Sequence, residues 1–306
     1  MWALTGAGLL SGCGKSPAPP AVQTTFNSPA SAAAALFEAT QKDDQSALLA
    51  LFGSDGRELI ASGDPEEDKA SRERFVESYQ KMHRIGLDAE NRTALFIGAQ
   101  NWPFPIPLVN KDGQWSFDTE AGKREVLYRR VGRNESAAIQ ICQELVAAQK
   151  EYVAATHDGD AIHQYAQHFV STPGRHDGLF WQAGNGDAES PIGPLLAFAS
   201  SEITSKAEGA GPTPFHGYYF RMLRAQGKDM PGGAKSFIAN GHMTGGFGFL
   251  AYPAEYRSSG VMTLVVGPDG IVYQMDLGAD SVTQAKAMTE VNLSALWTRA
   301  DAIAGS

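Results

Sequence analysis

Apolar and polar positions recur along the chain in two rhythms, and the switches between them mark its elements. Residues 29–44, PASAAAALFEATQKDD, favour helix throughout, with Ser28 set as N-cap and Pro29 as the first helical residue. Asp43 or Asp44 then caps a second short helix, whose apolar face is Leu48, Leu49, Leu51 and Phe52 and whose stop is Gly53. A third helix, Glu66 to His83, places Phe75, Val76, Tyr79 and Met82 in one buried stripe. Beyond it the period falls to two. Thr93 to Ala99, Ile106 to Val109 and Gln114 to Phe117 read as strands, with Asn110-Lys111-Asp112-Gly113 as a hairpin turn. Trp102 to Pro107 holds three prolines, so it is an edge or a rigid extended arm rather than a central strand.

Residues 126–133, VLYRRVGR, join this half to the next. Asn134 is a good N-cap and Glu135 complements the helix dipole, which predicts a long helix from Glu135 to about His157. Its stripe of Ile139, Cys142, Leu145, Val146, Tyr152 and Val153 requires a sheet to cover it. Residues 157–211 carry the weakest pattern: a helix-like patch at Ile162 to Phe169, then Leu179-Phe180-Trp181 and Pro191 to Ala199 as apolar anchors. From Pro214 to Gly278 four apolar, β-branched and aromatic runs are divided by turn signals, the mark of an antiparallel sheet. Asp280 or Ser281 caps a last helix, Val282 to about Val291, and Leu296 and Trp297 pack the tail. The fold class is α+β: N-terminal helices with a small curved sheet (residues 26–133), then a long helix packed on a four-stranded antiparallel sheet (residues 134–306).

The N-terminus adds an address. Residues 1–10, MWALTGAGLL, form a compact apolar run ahead of Ser11, Gly12 and Cys13, which resembles the lipobox of bacterial lipoprotein signal peptides. That resemblance implies cleavage after Gly12, so that 1–12 is a signal peptide and Cys13 is the lipidated first residue. Acyl chains contribute about 0.8 kcal/mol per buried methylene, enough for a firm anchor. The usual Lys or Arg ahead of the run is absent, as though the sequence began inside the true signal. Gly14 is not an inner-membrane retention aspartate, which favours the outer membrane, facing the periplasm. Residues 13–25, rich in Pro, Ala and Thr, read as a tether.

Charge and chemistry narrow the function. A net charge of −9 leaves no basic field for a phosphate backbone, so nucleic acid is excluded as a partner. With Cys13 acylated, Cys142 has no partner in the chain and reads as a buried thiol. The glycines of residues 232–246, GGAKSFIANGHMTGG, lack both the P-loop and the dinucleotide spacing, so they read as turns between strands, and no cofactor is expected. Four of the seven histidines crowd into residues 157–176 without any zinc spacing; His163 and His168 would sit about 140° apart on a helix. His216 and His242 flank the first strand of the C-terminal sheet and form the candidate metal pair. On that strand Tyr219 and Arg221 alternate away from Phe220, which makes them the candidate interface.

Residues 102–109 (WPFPIPLV), 117–135 (FDTEAGKREVLYRRVGRNE) and the motifs within 215–278 resemble the bacterial envelope proteins of domain-of-unknown-function family 2950. The resemblance implies export and carries no activity with it. The N-terminal half is similar to cone-shaped folds of the nuclear-transport-factor type. The C-terminal half resembles the globular head of type II secretion pseudopilins. The expectation is an envelope lipoprotein, a non-enzymatic binding or assembly component whose partners are the membrane, through its lipid, and an envelope protein. The alternatives are a hydrolase or metal-dependent enzyme centred on His216 and His242, and a pseudopilin-related subunit.

Overall fold

A computed structural model describes residues 23–61, 65–184, 188–199 and 212–300. The expected signal peptide, Cys13 and the tether up to residue 22 lie outside the described residues. The last tether residues belong instead to the folded body. Gln23 donates to the carbonyls of Leu51 (2.8 Å) and Phe117 (2.7 Å), and Thr24 N–H donates to Ala50. The chain divides into two compact units, residues 1–126 and 127–306.

In the first unit, helices α1 (Pro29–Gln41), α2 (Gln45–Phe52), α3 (Arg57–Ile60) and α4 (Pro65–Lys81) precede a sheet. Its strands are β1 (His83–Leu87), β2 (Thr93–Ile97), β3 (Trp102–Pro103), β4 (Leu108–Lys111) and β5 (Gln114–Phe117). Ser28 and Asp44 cap α1 and α2 through bonds from Ser31 N–H and Ala47 N–H. Gly53 stops α2 with φ +76°, a conformation that costs a glycine little. The strand order is β1-β2-β4-β5, with β3 against β2. The stripe of α4 is shorter than its period suggests. Met82 is exposed and His83 opens β1, because Gly98 N–H takes the carbonyls of Ser78 and Met82 at the helix end. The core gathers Leu36, Leu48, Phe52, Tyr79, Leu95 and Phe117.

Helix α5 (Thr119–Val153) runs continuously through residues 126–133, where the division between the two units falls, so Asn134 is no N-cap. Asp118 caps it instead, accepting from Ala121 N–H at 3.0 Å. Gly132, just ahead of Asn134, does not break the helix, since an interior glycine costs only about 1 kcal/mol and is tolerated. Asn134 Nδ2 donates to Ser259 O (2.8 Å), and Glu135 Oε1 accepts from Val261 and Met262 N–H, tying α5 to the loop before a strand of the second unit.

After α5 come the parallel pair β6 (His168–Val170) and β7 (Gly178–Phe180), then α6 (Pro194–Phe198) and β8 (Tyr218–Leu223). The helix-like patch at 162–169 is irregular up to the start of β6. Gln149, fully buried on α5, donates to Ala166 O and accepts from Ala166 N–H, both at 2.9 Å, so neither group can join a helical ladder. Two small hairpins follow, β9 (Ala225–Gln226) with β10 (Lys235–Ser236) and β11 (Ile238–Ala239) with β12 (His242–Met243). Asn240 (φ +53°) and Gly241 (φ +83°) make the turn between β11 and β12, the two positive φ values that a tight hairpin needs.

Strands β13 (Gly248–Pro253), β14 (Met262–Val266) and β15 (Val272–Asp276) match the remaining three runs read from the sequence. Helix α7 (Ser281–Ala287) and β16 (Thr298–Arg299) complete the chain, and β16 adds a fifth strand to the expected four, in the order β16-β15-β14-β13-β8. The register puts Phe220, Met222, Phe249, Ala251, Leu264 and Val266 on one face. That face meets α5, where Gln149 Nε2 lies 3.8 Å from Met222 Sδ. Tyr219, Arg221, Leu250, Tyr252, Thr263 and Val265 share the other face, which α7 covers. α7 ends early because Arg221 collects its last carbonyls and Val291 is drawn into extended pairing with Ala225 and Gly227.

Candidate binding cleft

The second unit opens at one end of this sheet, where the β9–β10 loop, the β14–β15 turn and the tail before β16 converge on a cleft of about 580 Å³. That volume lies within the usual range of small-molecule sites, roughly 300–1,000 Å³. The floor is Phe237, Phe247 and Val291, all buried. The walls are Met230, Tyr273, Leu293 and Trp297, half-buried, and each turns part of its side chain to the opening. Asp229, Lys235 and Asp269 stand on the rim.

Each wall is held by hydrogen bonds among its own residues. Gln226 Nε2 donates to Pro231 O (2.9 Å) and Gly233 O (2.7 Å), which closes the β9–β10 loop from within. Asp229 and Asn292 exchange two bonds: Asp229 N–H donates to Asn292 Oδ1 at 3.0 Å, and Asn292 Nδ2 donates to Asp229 Oδ2 at 2.9 Å. The β14–β15 turn closes with Gly270 N–H on Gly267 O and Ile271 N–H on Asp269 Oδ1. Fixing the loops in this way reduces the ordering cost that a ligand would otherwise meet. The lining contains neither histidine nor cysteine. Its chemistry is contact with aromatic and apolar surface, with charge at the rim.

The residues singled out from the sequence lie elsewhere. Arg221 Nη1 donates to the carbonyls of Ala285 (3.0 Å), Lys286 (2.7 Å) and Met288 (3.1 Å), so its guanidinium serves as the C-terminal cap of α7. Tyr219 is half-buried with its ring centroid 5.8 Å from that of Tyr252. The metal pair is not assembled. His216 precedes β8, with φ +47° and its ring against Phe215, while His242 lies past the opposite end of that strand, where Leu223 pairs with Gly248. Six residues of strand, roughly 17 Å, separate the two positions, far beyond the reach of a shared ion. His242 instead has its Nδ1 3.2 Å from Asp160 Oδ2, close enough for an ion pair but without hydrogen-bond alignment. No group of three potential metal ligands occurs among the described residues. Cys142 is fully buried, and burial pushes its thiol up to about 12, which removes it as a nucleophile.

Two further histidines hold carbonyls at the end of α5. His157 Nε2 and His163 Nδ1 lie 2.9 and 2.8 Å from the carbonyls of Tyr152 and Val153; since a carbonyl only accepts, each of these nitrogens carries the proton. His157 also stacks on Tyr152, whose hydroxyl donates to His176 O at 2.5 Å. Burial, and then the charges of Asp177 and Asp158, raise the pKa of that phenol. These groups close the C-terminus of α5 rather than face a ligand.

The family model described as "Protein of unknown function (DUF2950)" matches residues 23–300, nearly the whole chain. The chain belongs to the DUF2950 family. No curated protein matches this DUF2950 chain, and no solved structure does, so the pseudopilin and nuclear-transport-factor likenesses gain no support. Among the described residues of this DUF2950 protein, no helix is long and apolar enough to cross a membrane. Sequence reasoning missed its cleft. Tyr273 read as part of a strand run and Trp297 as packing of the tail, and nothing in the local pattern signalled that distant loops would leave those two rings partly uncovered.

Proposed function

We propose that this protein is a non-enzymatic binding component of the bacterial cell envelope, anchored by lipid on Cys13 and using the cleft of its C-terminal unit as the ligand site. The observation that supports this reading is the cleft itself. Aromatic and apolar side chains stay open to solvent on loops that hydrogen bonds hold in place. A preformed, largely apolar cleft with a few polar groups at its rim is the usual form of a ligand site. The Ser11-Gly12-Cys13 motif supports the address.

Two experiments separate these halves. Cys13→Ser moves the protein from the membrane fraction to the soluble fraction, and unchanged fractionation refutes the anchor. Gly267 lines the cleft, and a Cβ there would meet nothing nearer than Asp269 Oδ1 at 3.8 Å, at an ordinary rather than left-handed φ. Gly267→Leu therefore sets a bulky side chain in the lining of the cleft without straining the turn. It lowers saturable binding of an anilinonaphthalene sulfonate dye at least tenfold, and unaltered dye binding by the folded variant refutes the site.

A further inference from the structure

We infer that the cleft takes a proline-rich peptide segment with a basic residue at its flank, bound as an extended left-handed helix; this rests on the cleft being the ligand site. Three features of the lining lead there. Pro231 and Pro268 stand among Tyr273 and Trp297, so the walls are flat rings and stiff loops. Such surfaces match the flat pyrrolidine of proline, and a proline-rich segment is already extended before binding, so it loses little entropy there. Such a segment also has few N–H groups and a surplus of carbonyls. Trp297 and Tyr273 can each donate, through the indole N–H and the phenol, to carbonyls of this kind.

Charge then selects the flank. The rim has two carboxylates, Asp229 and Asp269, against the single ammonium of Lys235. Each carboxylate commits one oxygen to its own loop, Asp229 Oδ2 to Asn292 and Asp269 Oδ1 to Ile271 N–H, which fixes where the negative charge sits. A Lys or Arg beside the prolines complements that rim. The chain contains one sequence of this class, Lys15-Ser16-Pro17-Ala18-Pro19-Pro20, in which a basic residue precedes prolines spaced three apart. It lies outside the described residues and supplies the probe.

The test measures fluorescence polarisation of a labelled synthetic peptide of sequence 15–23, KSPAPPAVQ, against the full chain in detergent. The chain carries Pro17→Ala and Pro20→Ala, so that its own copy of the sequence does not compete. Saturable binding is expected. It should weaken at least tenfold when the peptide's Pro17 and Pro20 become Ala, and about three- to fivefold at low salt when its Lys15 becomes Glu, as a rim ion pair would give. Asp229→Asn with Asp269→Asn in the protein erases the Lys15 preference and leaves the proline preference. Gly267→Leu abolishes peptide binding. If Gly267→Leu blocks the dye but the peptide fails to bind, or binds as well with alanines, the proline inference is overturned and the cleft stands. If Gly267→Leu changes neither dye nor peptide, both fall.

Discussion

The segment from His157 to Trp181 holds four of the seven histidines and three aspartates, whereas the cleft lining holds no histidine at all. In the first region the polar side chains are spent on backbone. Asp158 accepts from His176 N–H through both oxygens, at 3.0 and 2.9 Å. Asp177 accepts from Thr172 N–H and hydroxyl, and Gln149 holds Ala166. An irregular segment has no ladder to satisfy its N–H and C=O groups, so side chains must do it. In the cleft a few polar side chains, Gln226, Asp269 and the Asp229–Asn292 pair, hold the loops, and the aromatic side chains of the walls are left turned outward. The difference teaches that chemistry-bearing residue types do not by themselves mark a site. What matters is whether their polar atoms are already committed.

The contrast can be broken from the histidine-rich side first. Gln149→Leu strands both Ala166 groups in the core and is expected to destabilise the second unit on the order of 3 kcal/mol. Loss of hydrogen-exchange protection across 138–152 checks this, while dye binding at low temperature should persist. Asp158→Ala removes the acceptor of His176 N–H and is expected to cost about 1–2 kcal/mol. If it also weakened dye binding tenfold, the two regions would not be separate in function.

Acidification sharpens the comparison further. Burial pushes the Asp177 carboxyl up, but the Thr172 bonds and the charges of His168 and Arg175 hold it below its ordinary value of 3.8. Its stabilisation is complete above 3.8 and is lost as pH falls below that value through the lower folded one. Protection of the Thr172 and Gly178 amides should therefore drop in that window, and Asp177→Asn should flatten the profile. The smallest effect is expected at His242. Its pairing with Asp160 is partly exposed, so His242→Ala should change stability by no more than about 1 kcal/mol and leave the metal content of the purified protein unchanged.

Much of the fold was legible because it depends on local signals. Ser28, Asp44 and Gly53 bound helices by capping chemistry, and the four runs from Tyr218 to Asp276 carry strand composition between turn residues. Long-range partners were not legible. Nothing local tells Asn134 that Ser259 will occupy its amide, or Ile162 to Phe169 that Gln149 will hold the segment out of a helix. Tyr219 and Arg221 were placed on one face of their strand correctly, yet α7, some sixty residues later, covers that face. The cleft was hidden for the same reason. Trp297 and Phe237 are apolar in any sequence window, and only the meeting of three distant loops leaves room between them.

The most direct measurement is a paired titration of the wild-type chain and Gly267→Leu with anilinonaphthalene sulfonate, alongside denaturation of both. The cleft account predicts matched unfolding curves and at least a tenfold loss of dye affinity in the variant. Matched unfolding with matched dye affinity would contradict it.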